Sequence, residues 1–260
     1  MKTTKLFLGV LLCFLTISVS AQTADEIIAN YFENTGGETK WRELKGYKTI
    51  AAVNQGGMEI PIESVELING KTSTKVTFQG KEIKQGVFDG TTLWSHNFMT
   101  MKAEKSDSEA TKNYKISRAD FPSPFLDYKK KGYKIELLGK EENDGTETFK
   151  IKLTKTPLTI DGKTEDNVDF YYFDTENFVP IVVESKVNSG PGKGLTSVTT
   201  LSDYQEAGDL YMPYSIAQSI KERPGSETSI VVKSYELNPE VSDEIFAFPD
   251  DKSSSDEKKN

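Results

Sequence analysis

The clearest pattern in the chain is the distribution of apolar and polar residues between Val168 and Val187. Two β-rich runs flank the polar tetrad Asp174–Asn177, which predicts an antiparallel hairpin with a short turn. Sorting with period two leaves apolar residues on both faces of each strand. An antiparallel sheet in water needs only one apolar face. The second face is therefore expected to meet helices, another sheet or a bound apolar molecule.

Similar strand-like runs extend from Tyr47 to Leu237 and are separated by turn dipeptides such as Asn69-Gly70 and Asp144-Gly145. Ten or more such runs, at a spacing of roughly eight to twelve residues, predict one large antiparallel sheet that curves or splits into a barrel or sandwich. Four local features are also expected: a bulge near Ser64, a strand over Phe98–Lys105, a polar loop over 106–113 and a long connection over 157–167.

The remaining elements are helical. Ile27, Ile28, Tyr31 and Phe32 form one apolar stripe of a helix between residues 24 and 35, and Thr23 with Glu26 predicts a capping box at its start. A second short turn covers 38–44. The prolines near the start of Pro122–Lys131 predict another short helix there. The fold class is thus mainly β with a few helices, in a single domain of residues 22–249.

Both ends of the chain lie outside that domain. Residues 1–21 have a positive start, the apolar run Leu6–Ile17 and the small-x-small pattern Val19-x-Ala21, which predict a cleaved secretory signal. The only cysteine, Cys13, falls inside this signal. Residues 250–260 are charged and serine-rich, which predicts a disordered tail. We therefore expect a soluble, exported protein without disulfide bonds.

Charge and motifs exclude several function classes. Without Lys2 and Lys5, 30 basic and 40 acidic residues remain, a net charge of −10, which argues against nucleic acid as a partner. The lone histidine, His96, and the absence of Gly-x-Ser-x-Gly argue against a metal site or a serine nucleophile. The Lys193 loop lacks the spacing of a phosphate-binding loop. We expect no enzyme activity, no metal and no cofactor.

Bulky apolar residues are the remaining candidates for function. They are either ordinary core or the lining of a cavity between sheet and helices. This candidate ligand-binding set is Phe78, Phe88, Trp94, Phe98, Phe121, Phe125, Leu126 and Phe170.

Several segments, read together, resemble the LolA/LolB family of periplasmic carriers and acceptors of outer-membrane lipoproteins. Phe88–Trp94 matches the family's strand, Asp-Gly turn and Leu-Trp strand. The helix before the first strand, the prolyl segment Pro122–Lys131 and the proline-containing turn Asp174–Pro180 are also similar. The ending Val241–Pro249 contains the family's terminal Phe-x-Phe before proline.

The resemblance implies an unclosed, curved antiparallel β-barrel whose helices cap an apolar cavity. It implies a soluble, monomeric, non-catalytic periplasmic carrier or sensor of acylated cargo, either lipoprotein or lipid, that works with envelope proteins. Phe121, Phe125 and Leu126 are expected to face the cargo from a helical lid. The carriers latch this lid with an arginine after the second hairpin turn, where this chain has Lys71. The alternative is a scaffolding subunit of an envelope complex with the same fold and a filled core.

Overall fold

The computed structural model describes residues 22–55 and 57–249, so the predicted signal (1–21) and tail (250–260) lie outside the described residues. Within them, thirteen strands form one antiparallel sheet that does not close. The helices are α1 (Ala24–Asn34), α2 (Glu38–Glu43) and α3 (Ser108–Ser117). The strands are β1 (Gly46–Gln55), β2 (Met58–Leu67), β3 (Thr72–Phe78), β4 (Lys81–Phe88), β5 (Leu93–His96), β6 (Ala103–Lys105), β7 (Lys134–Asn143), β8 (Thr146–Ile160), β9 (Lys163–Asp174), β10 (Pro180–Lys186), β11 (Thr196–Ala207), β12 (Leu210–Ile220) and β13 (Arg223–Leu237).

The sheet consists of two meanders joined along one seam. Its strand order is β6-β5-β4-β3-β2-β1-β13-β12-β11-β10-β9-β8-β7. The first and last strands of the chain therefore pair in the middle, and α3 lies in the connection between the outer edges β6 and β7. The hairpin predicted between Val168 and Val187 is the β9–β10 pair.

The contacts of α3 show how strongly the sheet curves. Its Tyr114 packs on Phe88 of β4 at 5.4 Å between ring centroids, and its Asn113 accepts a hydrogen bond from the backbone N–H of Thr159 in β8. β4 is third and β8 twelfth in the sheet order, so nine steps, or about 43 Å in a flat sheet, separate them. A ten-residue helix is only about 15 Å long. The sheet must therefore curl into an unclosed barrel.

One end of this barrel is plugged by α1, α2 and the segment 121–133. The predicted capping box is present, since Glu26 N–H donates to Thr23 Oγ1 and Thr23 N–H donates to the Glu26 carboxylate. The predicted apolar stripe of α1 is buried against the sheet, and Tyr31 lies 5.8 Å from Phe173 of β9. Full burial of such a side chain stabilises the fold by about 1.5–3 kcal/mol. We call this the plugged end.

Two predicted elements were wrong around α3. Pro122–Lys131 is a series of turns, not a helix. Pro124 disfavours a helical Ser123, and Asp127 has a left-handed φ of 53°. The predicted loop 106–113 instead contains most of α3, whose N-cap Asp107 accepts a hydrogen bond from Ala110 N–H at 2.7 Å. This helix has no buried residue, so it lacks the apolar stripe that predicts a helix.

Two predicted strand boundaries and one predicted bulge were also wrong. The strand predicted over Phe98–Lys105 is only β6, because a tight turn occupies 97–102. The connection predicted over 157–167 is a continuous β8–β9 hairpin, closed by Asp161-Gly162 with φ of 51° and 73°. No bulge occurs near Ser64, since the β1–β2 and β2–β3 registers are unbroken. The apolar phase changes there because Val65 packs under the C-terminal segment on the outer face.

Candidate functional site

The end of the barrel opposite the plug carries apolar side chains on its concave face. Tyr47 of β1 packs against the plug, so alternation also places Val53 on the concave side. Val53 pairs with Ile60 and with Ile230, which in turn pairs with Ile216. Paired residues share a face, so one register row crosses several strands. We define the concave trough as the aliphatic and aromatic side chains of these neighbouring rows: Val53, Ile60, Ile62, Val76, Phe78, Leu201, Ile216 and Ile230.

Exposure distinguishes the concave trough from the plugged end. Every trough residue is partly exposed, whereas Ile27 and Phe173 of the plugged end have no exposed surface. Apolar surface that lines a concave wall and still meets solvent is typical of a ligand-binding site. A separate groove of about 680 Å³ lies beside the plugged end, where Leu201 lines it together with Asn34 of α1, Asn177 and Tyr211. We call the open end of the barrel, at which the β1–β2, β3–β4, β8–β9 and β12–β13 turns lie, the mouth end.

Polar contacts hold α3 across the open side of the barrel. Tyr114 Oη lies 2.7 Å from Thr72 Oγ1 of β3. At the other end of the helix, the Glu109 carboxylate accepts hydrogen bonds of 2.8 Å from the N–H groups of Asp161 and Gly162 in the β8–β9 turn. Apart from the packing of Tyr114 on Phe88, the contacts of α3 with the sheet are polar, and no residue of α3 is itself fully buried.

Just after α3, Arg118 binds β2. Its Nη1 donates to Glu66 Oε2 at 2.7 Å, and the Tyr47 hydroxyl donates to Glu66 Oε1 at 3.1 Å. Burial lowers the pKa of Arg118, but Glu66 and nearby tyrosines outweigh it and raise the pKa above its usual value. The guanidinium also lies 5.1 Å from the Tyr114 ring, and its Nε is buried without a hydrogen-bond partner. Arg118 thus joins the turn after α3 to β2, whereas Lys71 forms an ion pair with Asp243 on the outer face of the sheet.

A second ion pair joins the same turn to the other half of the barrel. Lys155 of β8 lies 2.9 Å from Asp120 and 2.7 Å from Asp169 of β9. Burial lowers the pKa of Lys155, but the two carboxylates outweigh it and raise the pKa. Tyr133 donates a hydrogen bond of 2.9 Å to Asp120, and burial together with Asp120 raises the pKa of this tyrosine. The turn Arg118–Asp120 is therefore fixed on both sides.

Sequence reasoning missed this attachment. The sequence feature that could have predicted α3 is the N-cap Asp107, followed by Ala110, Tyr114 and Arg118 at the helical spacing of four residues.

The structure divides the eight candidate residues among several environments. Phe78 belongs to the concave trough, and Phe88 lies beside it against Tyr114. Phe121 packs on Tyr47 at 5.5 Å, at the boundary between trough and plugged end. Phe125, 3% exposed, is buried in the aromatic cluster of the plugged end, as is Leu126.

The other three candidates face away from the trough. Trp94 is buried on the outer face, where its Nε1 donates to the Phe246 carbonyl at 3.1 Å. Phe170 lies on the outer face 5.5 Å from the Lys150 amine and lines a groove of about 620 Å³. Phe98 is exposed on the 97–102 turn. The structure thus does not bring the eight together, and ligand contact by the set stays a prediction.

Two further observations concern chemistry and membranes. The Nδ1 atom of His96 accepts a hydrogen bond of 2.9 Å from Lys84 N–H, so this nitrogen has a structural role between β4 and β5. In residues 22–55 and 57–249, no three His, Cys, Asp or Glu side chains are placed to hold a metal ion. None of the helices in these ranges is long and apolar enough to span a bilayer.

The fold is LolA-like. A LolA superfamily protein from Nitrosomonas europaea superposes with a TM-score of 0.53 at 17% identity, over 87% of this chain and 98% of that one. A putative outer membrane lipoprotein-sorting protein domain from Vibrio parahaemolyticus gives 0.51 at 13% identity, over 85% and 94%. A DUF1329 family protein from Desulfovibrio piger gives 0.50 at 12% identity, over 85% and 97%. No protein-family model and no curated protein matches the sequence.

Proposed function

We propose that the protein binds acyl chains of a lipid or lipoprotein in the concave trough, as a non-catalytic carrier or sensor of the cell envelope. The observation that carries this proposal is the row of partly exposed aliphatic side chains from Leu201 to Ile60, which crosses β11, β12, β13, β1 and β2 on a concave wall. The LolA-like fold and the likeness to a lipoprotein-sorting protein domain also support it.

The energetics of such a ligand are favourable. Burial of an acyl chain gains about 0.8 kcal/mol per methylene, so ten methylenes give roughly 8 kcal/mol before costs. Association and ordering of the chain cost at least several kcal/mol. We therefore expect a dissociation constant in the micromolar range, about 10⁻⁶ to 10⁻⁵ M. This affinity suits a protein that both takes up and releases its cargo.

The test compares two neighbouring positions of β13. Ile230 faces the trough, whereas Val231 faces the outside and is 42% exposed. Ile230→Asp places an unpaired carboxylate on the apolar wall and should weaken binding of a fluorescent fatty-acyl probe at least about tenfold. Val231→Asp introduces the same charge into the same strand and should leave binding within about twofold.

Thermal unfolding of both variants accompanies the titration. Because Ile230 is partly exposed, we expect its variant to stay folded. A wild-type protein that fails to bind the probe at tens of micromolar would contradict the proposal and favour the alternative, a scaffolding subunit. Equal probe affinity for the two variants would remove the trough as the site.

The envelope location rests on the predicted signal. We expect the exported protein to begin at Gln22, after cleavage of the Val19-x-Ala21 site. N-terminal sequencing of protein from the envelope fraction measures this directly. A protein that retains Met1, or that carries a lipid on Cys13, would contradict a soluble periplasmic carrier.

A further inference from the structure

The 97–102 turn between β5 and β6 displays two large apolar side chains to solvent. Phe98 is 64% exposed and Met99 is 95% exposed. Two adjacent side chains of this size form a small exposed apolar patch, a feature that marks interaction sites on protein surfaces. This observation is separate from the concave trough, because the turn lies outside the barrel wall.

The turn is built to hold these side chains outward. The Asn97 side-chain oxygen accepts hydrogen bonds from Met99 N–H at 2.9 Å and Thr100 N–H at 3.1 Å. Asn97 also closes the turn through its backbone, donating to the Lys102 carbonyl and accepting from Met101 N–H, both at 2.8 Å. These four bonds fix the backbone, so Phe98 and Met99 cannot fold back without breaking them.

The position of the turn relates it to the trough. Strand β4 starts at Lys81 near the mouth end, and His96, next to the turn, accepts the hydrogen bond from Lys84 N–H. The 97–102 turn therefore projects from the mouth end. Met58, 54% exposed, lies on the β1–β2 hairpin at the same end. By contrast, Ile68, 55% exposed, follows β2 at the plugged end.

The local charge favours a lipid surface. The chain as a whole has a net charge of −8, but the turn itself, residues 97–102, contains no carboxylate and includes the exposed Lys102; the exposed Glu104 and Lys105 that follow it cancel each other in charge. An apolar tip with an amine a few residues behind it matches the acyl boundary and the phosphate level of a bilayer. A two-residue convex tip is also far smaller than the roughly 800 Å² per partner of a stable protein interface.

We infer that Phe98 and Met99 insert into a phospholipid surface and hold the mouth end of the barrel against it. Insertion buries the two side chains among acyl chains and leaves the Lys102 amine beside lipid phosphates. The inference goes beyond the proposed function, because it concerns attachment to a bilayer and not the ligand inside the trough.

An introduced tryptophan tests insertion directly. The native Trp41 and Trp94 are 4% and 1% exposed, so lipid-borne quenchers should hardly reach them. Phe98→Trp protein is mixed with vesicles of phosphatidylcholine and phosphatidylglycerol whose acyl chains carry bromine. We expect clear quenching of the new tryptophan. Ile68→Trp, with similar exposure at the plugged end, is the matched control and should show none.

A flotation assay with the same lipids, unbrominated, measures the binding itself. The double variant Phe98→Ser/Met99→Ser should lose at least about tenfold in vesicle partitioning, whereas Ile68→Ser should match the wild type. Met99→Ser alone, at a position outside the candidate ligand-binding set, should also lose vesicle partitioning but should keep the wild-type affinity for the acyl probe in solution, as should Ile68→Ser. Failure of docking and failure of cargo binding are therefore distinguishable. Equal quenching of the two tryptophans, or unchanged partitioning of the double variant, would overturn the inference. Tip-dependent capture of a protein without vesicle binding would also overturn it.

Discussion

Glu66 of β2 joins the turn that follows α3 to the sheet, through contacts with Arg118 and Tyr47. One carboxylate oxygen accepts from Tyr47 and the other from Arg118, so both are used. The side chains of Arg118 and Glu66 are only 21% and 31% exposed, which limits screening by water. Arg118 also passes close to Gly70, where an added Cβ would lie 3.6 Å from the arginine Cβ. The pair therefore fixes the turn after α3 over the β2–β3 hairpin.

The first prediction concerns this pair. Glu66→Gln leaves the guanidinium without its counter-ion, and Arg118 Nε is already buried without a partner. We expect the free energy of unfolding in urea to fall by about 1–3 kcal/mol. Arg118→Met in the Glu66→Gln background should recover part of this loss, because no unpaired charge remains. Purely additive effects in the double-mutant cycle would show that the two residues do not interact.

At the scale of elements, α1 and α3 show which helices an apolar pattern in the sequence can predict and which it cannot. α1 was predicted, including its capping box, because an apolar stripe packs on the sheet and repeats with helical period. α3 was missed because none of its residues is fully buried and most of its contacts are polar. The turn after it, Arg118–Asp120, is held by ion pairs formed with distant strands. Pro122–Lys131 shows the reverse error. Its apolar residues are buried, but prolines and a left-handed Asp127 keep the backbone out of a helix.

The second prediction compares the caps of these helices. Asp107→Ala removes the side-chain acceptor for Ala110 N–H and should cost α3 about 1 kcal/mol. Since α3 has no buried residue, we expect faster amide hydrogen exchange confined to α3, with little change in global stability. Thr23→Ala removes the matching cap of α1, whose buried stripe couples it to the core, and should lower global stability instead. Identical behaviour of the two variants would contradict a loosely packed α3.

The third prediction concerns the segment 121–133, which Asp127 binds to α2. The Arg42 guanidinium donates hydrogen bonds to both oxygens of Asp127, and together with Lys130 this holds the pKa of the carboxyl well below its usual range. A carboxyl group whose pKa is lowered by folding stabilises the folded state at pH values above its pKa in the unfolded chain, about 3.9. This stabilisation is lost as the pH falls through the pKa of the folded state.

Asp127→Asn should therefore be less stable than the wild type at about pH 6, and the difference should shrink below about pH 4. Urea unfolding at several pH values measures it. Asp144→Asn, in the exposed β7–β8 turn, is the control and should lower the stability at about pH 6 by less than Asp127→Asn does. A gap between Asp127→Asn and the wild type that stays constant down to about pH 2 would contradict the ion pair.

At the scale of the whole molecule, the fold was more predictable than the site. Strand number, antiparallel pairing and the open barrel follow from local alternation and turn dipeptides, as in β9–β10. Which face is covered depends on segments far apart in sequence. Trp94 and Phe88 looked equivalent, but Trp94 packs under the C-terminal segment and Phe88 under α3. The trough aliphatics, such as Ile230, alternate like the residues of any core strand. Only the strand register and their partial exposure in the structure show that they line a concave wall that solvent still reaches.

The last prediction concerns how the end of the chain completes the molecule. After β13, residues 241–248 cross to the outer face of the first meander, where Phe246, with no exposed surface, contacts Val65, Val87 and Trp94. The Lys71 and Lys84 amines lie 5.8 Å from the Phe246 ring and 5.9 Å from the Trp94 ring. The C-terminal segment thus forms a further link between the two meanders, besides the β1–β13 seam and α3.

Phe246→Ala should therefore lower the free energy of unfolding by about 3–5 kcal/mol, since it leaves a cavity over β2, β4 and β5. The emission of Trp94 should shift to longer wavelength as water reaches the indole. Phe248→Ala, two residues further on and partly exposed, is the matched control and should cost less than about 1.5 kcal/mol. Equal losses from the two substitutions would show that the C-terminal segment only covers the sheet and unfolds separately. A larger loss at Phe246, with a single unfolding transition seen by all probes, would show that the segment belongs to the cooperative core.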